Sequence, residues 1–190
     1  MSFSESHIED HLIQLLQNLG YTYFYGPSIA PFTEHAERER FDSVILEKHF
    51  RESLKRLNPD VPESARAEAY SHVLGLGSSD IMTNNEKFHT MLTDGVTVEY
   101  FHDGQTKGLN LKLIDVEDIS KNTFWVVNQL VIQENNIEKR LDVVLYVNGL
   151  PLVVVELKNA TDEKATLDRA FTQIQNYKKA VPSIFYYNAL

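Results

Sequence analysis

Three charged residues stand at the ends of two apolar runs in the stretch RLDVVLYVNGLPLVVVELKNA, residues 140–160. Asp142 begins the first run, and Glu156 and Lys158 close the second. On a strand, Glu156 and Lys158 point to the same face, because successive side chains alternate. Two carboxylates suit Mg²⁺, which prefers oxygen ligands, lowers the pKa of a bound water and offsets charge on a phosphate. A neighbouring lysine can steady the charge that develops. These residue types therefore predict metal-assisted phosphodiester hydrolysis.

The competing interpretation is an ion pair that only marks where a buried strand reaches solvent. The apolar residues on both sides disfavour it, since buried charge is unfavourable unless it is paired or used. Asn148-Gly149 between the runs predicts a β-hairpin. A strict two-residue loop would pair Val147 with Leu150 and place Asp142 on the opposite face from Glu156. A functional site therefore requires either a loop of odd length or a β-bulge.

The remaining elements must position this hairpin. Apolar residues at helical spacing predict a helix over 5–19 that ends at Gly20, and a charged stretch over 34–74 that Pro59 and Pro62 divide into two helices. A further short helix is expected before Gly95. β-Branched and aromatic runs then predict strands. Their sequences are VTVEYF, LNLKLIDV, TFWVVNQLVIQ, LDVVLYV and PLVVVEL. A helix over 162–180, capped by Thr161 or Asp162, and a strand-like SIFYYNAL complete a mixed-sheet α/β domain.

Length and composition narrow the class of protein. The 190 residues predict one domain with a sizeable core, and an apolar content of 43% excludes a disordered chain. A net charge of −9 argues against a general nucleic-acid coat protein. It does not exclude a DNA enzyme, because an acidic, metal-requiring site can lie beside a local basic patch. The absence of cysteine excludes thiolate metal sites and agrees with a cytoplasmic location. The polar N-terminus is unlike a signal peptide, and no apolar run is long enough to predict a membrane span.

With Asp142 and Glu156-Leu157-Lys158 in place, the chain resembles the PD-(D/E)xK nucleases. More specifically, it resembles the N-terminal nuclease domain of the R (restriction) subunit of type I restriction enzymes. The resemblance is carried by LTDGVTVEY, NTFWVVNQLVI, RLDVVLYVNGLPLVVVELKNAT and RAFTQIQNY, and more weakly by the N-terminal SESHIEDHLIQLLQNLGY. Leu141 stands where the general motif has proline, a residue that carries no chemistry.

The resemblance implies a restriction-endonuclease-like core with a helical insertion at about 34–92 and its main part at 96–190. It makes Asp142 and Glu156 the Mg²⁺ ligands and Lys158 the catalytic lysine. These nucleases often carry a glutamate on the first helix, and Glu9 fits that place, with Glu5 as the competitor.

Three further residues match the R-x-x-x-Q-x-x-x-Y pattern of the family, namely Arg169, Gln173 and Tyr177. Their spacing of four puts them on one stripe of the last helix. We expect this stripe to support the lysine or to contact DNA, and the alternative is a solvated helix side. The apolar stripe beside it, Leu167, Ala170, Phe171 and Ile174, is predicted to face the core.

The resemblance also implies partners. These are double-stranded DNA, the modification and specificity subunits of a restriction complex, and an ATP-driven motor in the same subunit. GLGSSD at 75–80 lacks the Gly-Lys-Ser/Thr ending of a phosphate-binding loop, so the ATP site is expected outside this stretch. His7 and His11 do not match the zinc-protease motif, because that motif has glutamate directly after its first histidine and Ile8 stands there. Two alternatives stay open, a non-catalytic DNA-binding or docking module and the nuclease domain of a related ATP-dependent restriction enzyme.

Overall fold

The computed structural model describes residues 4–102, 104–158 and 167–188. The α-helices in these ranges are α1 (Glu5–Asn18), α2 (Glu47–Leu57), α3 (Glu63–Leu74), α4 (Ile81–Asp94) and α5 (Leu167–Ala180). The strands are β1 (Thr22–Tyr25), β2 (Val96–His102), β3 (Gln105–Leu111), β4 (Phe124–Glu134), β5 (Ile137–Val147) and β6 (Leu150–Val155). Short 3₁₀ helices span Gly26–Ile29, Ile119–Lys121 and Pro182–Tyr186. None of the helices in the described ranges combines the length and apolarity needed to cross a bilayer.

The central sheet has the strand order β1-β4-β5-β6. β1 runs parallel to β4, whereas β4, β5 and β6 are antiparallel to their neighbours. β2 and β3 form a separate antiparallel hairpin. The result is a mixed sheet flanked by helices, which confirms the predicted restriction-endonuclease-like α/β class.

Two apolar layers cover the faces of this sheet. On one face, a small cluster joins Ile13 and Leu16 of α1 to Val126 of β4 and Val143 of β5. On the other face, a much larger cluster includes residues of α2, α3, α4, α5 and the strands. Helix α1 contributes a narrow apolar stripe to the first layer. Its N-cap is Ser4, whose hydroxyl accepts the His7 backbone N–H. The sheet is therefore held between α1 and the rest of the domain.

The charged stretch after residue 34 forms helices only in part. α2 and α3 are confirmed, with Pro62 at the N-cap of α3. Residues 34–46, predicted as helix, are irregular. Val44, Ile45 and Leu46 are buried in succession, which an amphipathic helix could not achieve. The Leu46 N–H donates to the Gly149 carbonyl at 2.9 Å, so this segment is fixed to the β5–β6 turn instead of to itself.

Two other expectations about elements are wrong, and one strand has no counterpart in the sequence analysis. That strand is β1, whose sequence TYFY is short and partly exposed. The predicted strand over 109–116 ends at Leu111, and the Asp115 carboxylate then accepts two backbone N–H groups of a turn, from Glu117 and Asp118. The predicted final strand begins instead in a 3₁₀ helix, Pro182–Tyr186. The expected cap of α5 at Thr161 or Asp162 lies outside the described residues.

Candidate active site

The β5–β6 hairpin resolves the parity problem with a bulge. Asn148 and Gly149 form a two-residue turn with φ of 54° and 83°, and Val147 pairs with Leu150. The register then shifts, because Tyr146 pairs with Pro151 but Leu145 pairs with Val153. One extra residue therefore lies in β6, at Leu152. The sequence prediction that a bulge or an odd loop must intervene is confirmed.

The bulge brings Asp142, in the middle of β5, opposite the residues that follow the end of β6. The Asp142 Oδ2 accepts the backbone N–H of Leu157 at 2.8 Å. Leu157 stands between Glu156 and Lys158, so this bond fixes Asp142 beside both of them. The structure thus brings the three predicted catalytic residues to one end of the hairpin.

Glu156 lies at the centre of this group. Its side chain is only 5% exposed, and its Oε1 is 2.5 Å from the Lys158 Nζ. Burial raises the pKa of Glu156 above its ordinary value, and repulsion from Asp142 adds to the rise. The contacts with Lys158 and Tyr177 act in the opposite direction without reversing it. A positive charge next to the Glu156 carboxylate is therefore favourable, because it stabilises the ionised form that burial disfavours.

Lys158 is more open, with 29% of its side chain exposed. Burial alone lowers the pKa of Lys158, but the hydrogen bond and attraction of Glu156 outweigh it, and Asp142 and Glu5 add to them. The pKa of Lys158 is therefore raised, and the amine stays protonated at neutral pH. The ion pair thus determines the direction of the Lys158 pKa shift, whereas burial determines that of Glu156, the more deeply buried partner.

The last helix turns Gln173 and Tyr177 toward this site. Tyr177 is 3% exposed, and its hydroxyl lies 3.1 Å from both Glu156 Oε2 and the Arg140 carbonyl oxygen. The Gln173 amide donates to the same hydroxyl at 3.0 Å. Burial raises the pKa of Tyr177 to about 12, so the hydroxyl remains a proton donor. The expected placement of Gln173 and Tyr177 near the site is thus observed, while their catalytic role stays a prediction.

The apolar stripe of α5 is where the prediction was wrong. Leu167 and Phe171 are among the most exposed large apolar residues of the described chain, although Ile174 does pack against the core. The helix therefore turns its polar stripe inward at Tyr177. Arg169 is exposed and makes no hydrogen bond or ion pair with Asp142, Glu156 or Lys158.

The first helix contributes Glu9 and Glu5 in different ways. The carboxylate of Glu9 accepts the side-chain amides of Asn128 and Gln129, each at 2.6 Å. Glu5 is more exposed, yet it lies close enough to Lys158 to help raise the pKa of that amine. Sequence reasoning missed Asn128 and Gln129. Two successive polar residues inside a buried apolar strand were the available signal.

The family model described as "Type I restriction enzyme R protein N terminus" matches residues 2–190. The chain belongs to this family. The type I restriction enzyme HindI endonuclease subunit of Haemophilus influenzae is 38% identical over 97% of the chain, which covers 18% of that protein. The EcoprrI endonuclease subunit of Escherichia coli is 31% identical over 93% of the chain, which covers 50% of it. The chain therefore spans a fifth to a half of the length of these two relatives.

The donor set of this R-protein domain fits Mg²⁺. Asp142 and Glu156 offer hard oxygen donors, and the described residues hold no cluster of three or more acidic, histidine or cysteine side chains arranged to ligate a metal. Such a pair is too few for a closed protein cage, but Mg²⁺ commonly takes one or two carboxylates and completes its shell with water and substrate phosphate. Two carboxylates are therefore donors of the type and number that an open Mg²⁺ site can use.

Proposed function

We propose that this chain is a Mg²⁺-dependent endonuclease domain that cleaves double-stranded DNA within a type I restriction enzyme. The observation that carries the proposal is the convergence of Asp142, Glu156 and Lys158, which depends on an extra residue in β6. β-Bulges are over-represented beside active sites, where they re-aim a side chain, and this bulge brings two carboxylates and a lysine together. Membership of the R-protein family gives independent support.

In this proposal Asp142 and Glu156 hold the metal ion, which when bound supplies a water of lowered pKa and offsets charge on the scissile phosphate. Leu157 orients Asp142 through its backbone N–H. Tyr177 orients Glu156, and Gln173 in turn orients the Tyr177 hydroxyl. Each ligand is thereby held before substrate arrives, which lowers the cost of reorganisation.

Lys158 supplies the positive charge of the site. Its raised pKa keeps it protonated, and its exposure leaves the amine accessible to a phosphate oxygen or to the attacking water. Glu5 and Glu9 lie on the α1 side, where Glu5 acts on Lys158 and Glu9 joins α1 to β4. Arg169, exposed on α5, is proposed to contact the DNA backbone.

The partners in this proposal belong to the longer enzyme. The relatives are named as endonuclease subunits of type I restriction enzymes, and this chain spans only part of each. We propose that modification and specificity subunits select the DNA, and that an ATP-driven motor of the same subunit delivers it to this domain in the cytoplasm. The nuclease domain itself then requires no sequence-reading element.

The test is cleavage of double-stranded DNA by the assembled enzyme with ATP and Mg²⁺. Asp142→Ala, Glu156→Ala and Lys158→Ala should each abolish cutting while far-ultraviolet circular dichroism shows an intact fold. Glu117→Ala removes an exposed acid that pairs with Lys112 and not with Lys158, and it is the matched control, expected to cut normally. Substantial cutting by Glu156→Ala in Mg²⁺ would falsify the assignment. DNA binding without metal-dependent cutting by the wild type would instead support the non-catalytic docking module.

A further inference from the structure

Gln129 has an unusual backbone conformation for its place in the fold. Its φ of 51° lies in the left-handed region, although it stands in the middle of β4. The other non-glycine residues with positive φ in the described ranges lie in turns or loops; they are Phe32, Asn135, Asn136 and Asn148. A left-handed glutamine is unfavourable by about 1–2 kcal/mol, so the surrounding structure must impose it.

The position across the sheet from Gln129 is Asp142. Pairing between β4 and β5 is regular on both sides of it, where Asn128 pairs with Val143 and Leu130 with Leu141. No pair joins Gln129 to Asp142, although the register on either side makes them direct neighbours. The ladder is therefore interrupted at the residue opposite a predicted metal ligand.

Both strands also exchange faces at this point. Val126 of β4 and Val143 of β5 pack on the α1 side of the sheet. Leu130 and Leu141, beyond the interruption, belong to the large core on the other side. In an unbroken strand Val143 and Leu141 would share a face, because they are two residues apart. The side chains on the two sides of Asp142 therefore do not follow regular alternation between the faces of the sheet, and Asp142 lies at the point of change.

Two neighbouring groups contact Gln129 or the backbone beside it. Its side-chain amide donates to Glu9, beside the amide of Asn128, so that two successive residues of β4 reach the same carboxylate. Gly26, at the end of β1, lies directly against the backbone. A Cβ at Gly26 would stand 2.6 Å from the Asn128 carbonyl oxygen and 2.7 Å from that of Gln129. The turn after β1 and helix α1 therefore both contact β4 where its pairing with β5 is interrupted.

We propose that Gln129 is a positioning residue for Asp142. Its left-handed backbone removes Asp142 from the β4–β5 ladder, which lets the Asp142 carboxylate turn to the Leu157 N–H and so toward Glu156. The backbone conformation, not the amide group, does the positioning. The inference rests on the proposed function only where it treats Asp142 as a metal ligand.

The test separates backbone from side chain through three substitutions. Gln129→Gly lacks the amide but adopts positive φ freely, Gln129→Ala resists it, and Gln129→Val resists it most because β-branching favours a regular strand. The direct readout is hydrogen exchange of the Leu157 amide by NMR, compared with the buried Val144 amide of the same variant. Exchange should accelerate relative to Val144 by about tenfold in the Val variant, since a hydrogen bond to a charged acceptor is lost. The Ala variant should be intermediate and the Gly variant unchanged.

Phe32→Val is the matched control, because Phe32 has a φ of 69° but lies in an exposed loop. It should lose stability without altering Leu157 exchange. Loss of Leu157 protection in Gln129→Gly would overturn the proposal by showing that the amide matters, and full protection in both the Ala and Val variants would overturn it from the other side. If the Val variant does not fold, the Gly and Ala variants alone decide.

A second readout is the Mg²⁺ concentration that gives half-maximal cleavage by the assembled enzyme. It should rise in the order Gly, Ala, Val with little change in the rate at saturating Mg²⁺. Since amide exchange needs neither metal nor DNA, it reports on the positioning of Asp142 even if the enzyme proves not to cut.

Discussion

Tyr177 is the position where the structure predicts the most specific effect of a single atom. Tyr177→Phe removes the hydroxyl but keeps the ring, which is buried in the main core. The hydroxyl joins Gln173, the Arg140 carbonyl and Glu156, with oxygen and nitrogen atoms 3.0–3.1 Å apart. Loss of these bonds should lower the free energy of unfolding by about 1–2 kcal/mol.

The effect on metal binding should be separable from that on stability. The Tyr177 hydroxyl lowers the pKa of Glu156, so its removal raises that pKa further. A metal ligand must be deprotonated, and the pH below which Mg²⁺ dissociates should therefore move upward. Loss of an orienting partner of a ligand typically weakens metal affinity or activity by roughly 10- to 100-fold. We expect the Mg²⁺ concentration for half-maximal cleavage to rise by that range.

Tyr187→Phe is the matched control for this experiment. Tyr187 is also buried, and its hydroxyl donates to the Val73 carbonyl of α3 at 3.3 Å instead of to a residue of the candidate site. The assay is DNA cleavage across Mg²⁺ concentration and pH, beside urea unfolding of both variants. The reasoning is refuted if the two variants lose similar stability and Tyr177→Phe retains the wild-type Mg²⁺ dependence.

Two further predictions concern the carboxylate and the support of the sheet. Because burial raises the pKa of Glu156, its folded form binds a proton more readily than its unfolded form, and its charge opposes folding at neutral pH. Without divalent ions, Glu156→Gln should unfold at higher urea concentration than wild type at pH 7, and the difference should vanish as pH falls through the raised pKa toward 4.5; equal midpoints at pH 7 would contradict this. Gly26→Ala should destabilise by several kcal/mol, on the order of an overpacked core or more, since its Cβ would overlap the β4 backbone. Gly108→Ala, in β3 with open space around it, is the control and should be nearly neutral by thermal unfolding.

The sequence was sufficient for the parts of the site that alternate regularly. Glu156 and Lys158 lie two apart in an apolar run, and period-2 alternation places them together without further information. Parity alone also required either a loop of odd length or a bulge, and the two-residue turn at Asn148-Gly149 leaves the bulge. Its position at Leu152 did not, because any residue of β6 satisfies the same count.

The failures have a common physical origin in tertiary contacts. Residues 34–46 have helical composition, but Leu46 donates its N–H to Gly149, a partner about a hundred residues away along the chain. On α5, the buried side is the one whose Tyr177 hydroxyl contacts Glu156. Phe171 lies outside that side and stays exposed. Amphipathicity predicts that a helix has two sides, but it does not determine which polar residue a buried carboxylate will attract.

Gln129 shows the limit most clearly. Glutamine carries no preference for positive φ, so nothing in the residue itself predicts a break in β4. The break lies where Gly26, just after β1, and Glu9 of α1 contact β4, and both elements are distant in sequence from β4. Edge strand β1 and helix α1, which covers one face of the sheet, thus both lie beside the backbone opposite Asp142. A domain built this way couples the packing of its N-terminal segment to the geometry of the site, so that substitutions in β1 or α1 should alter metal dependence before they unfold the chain.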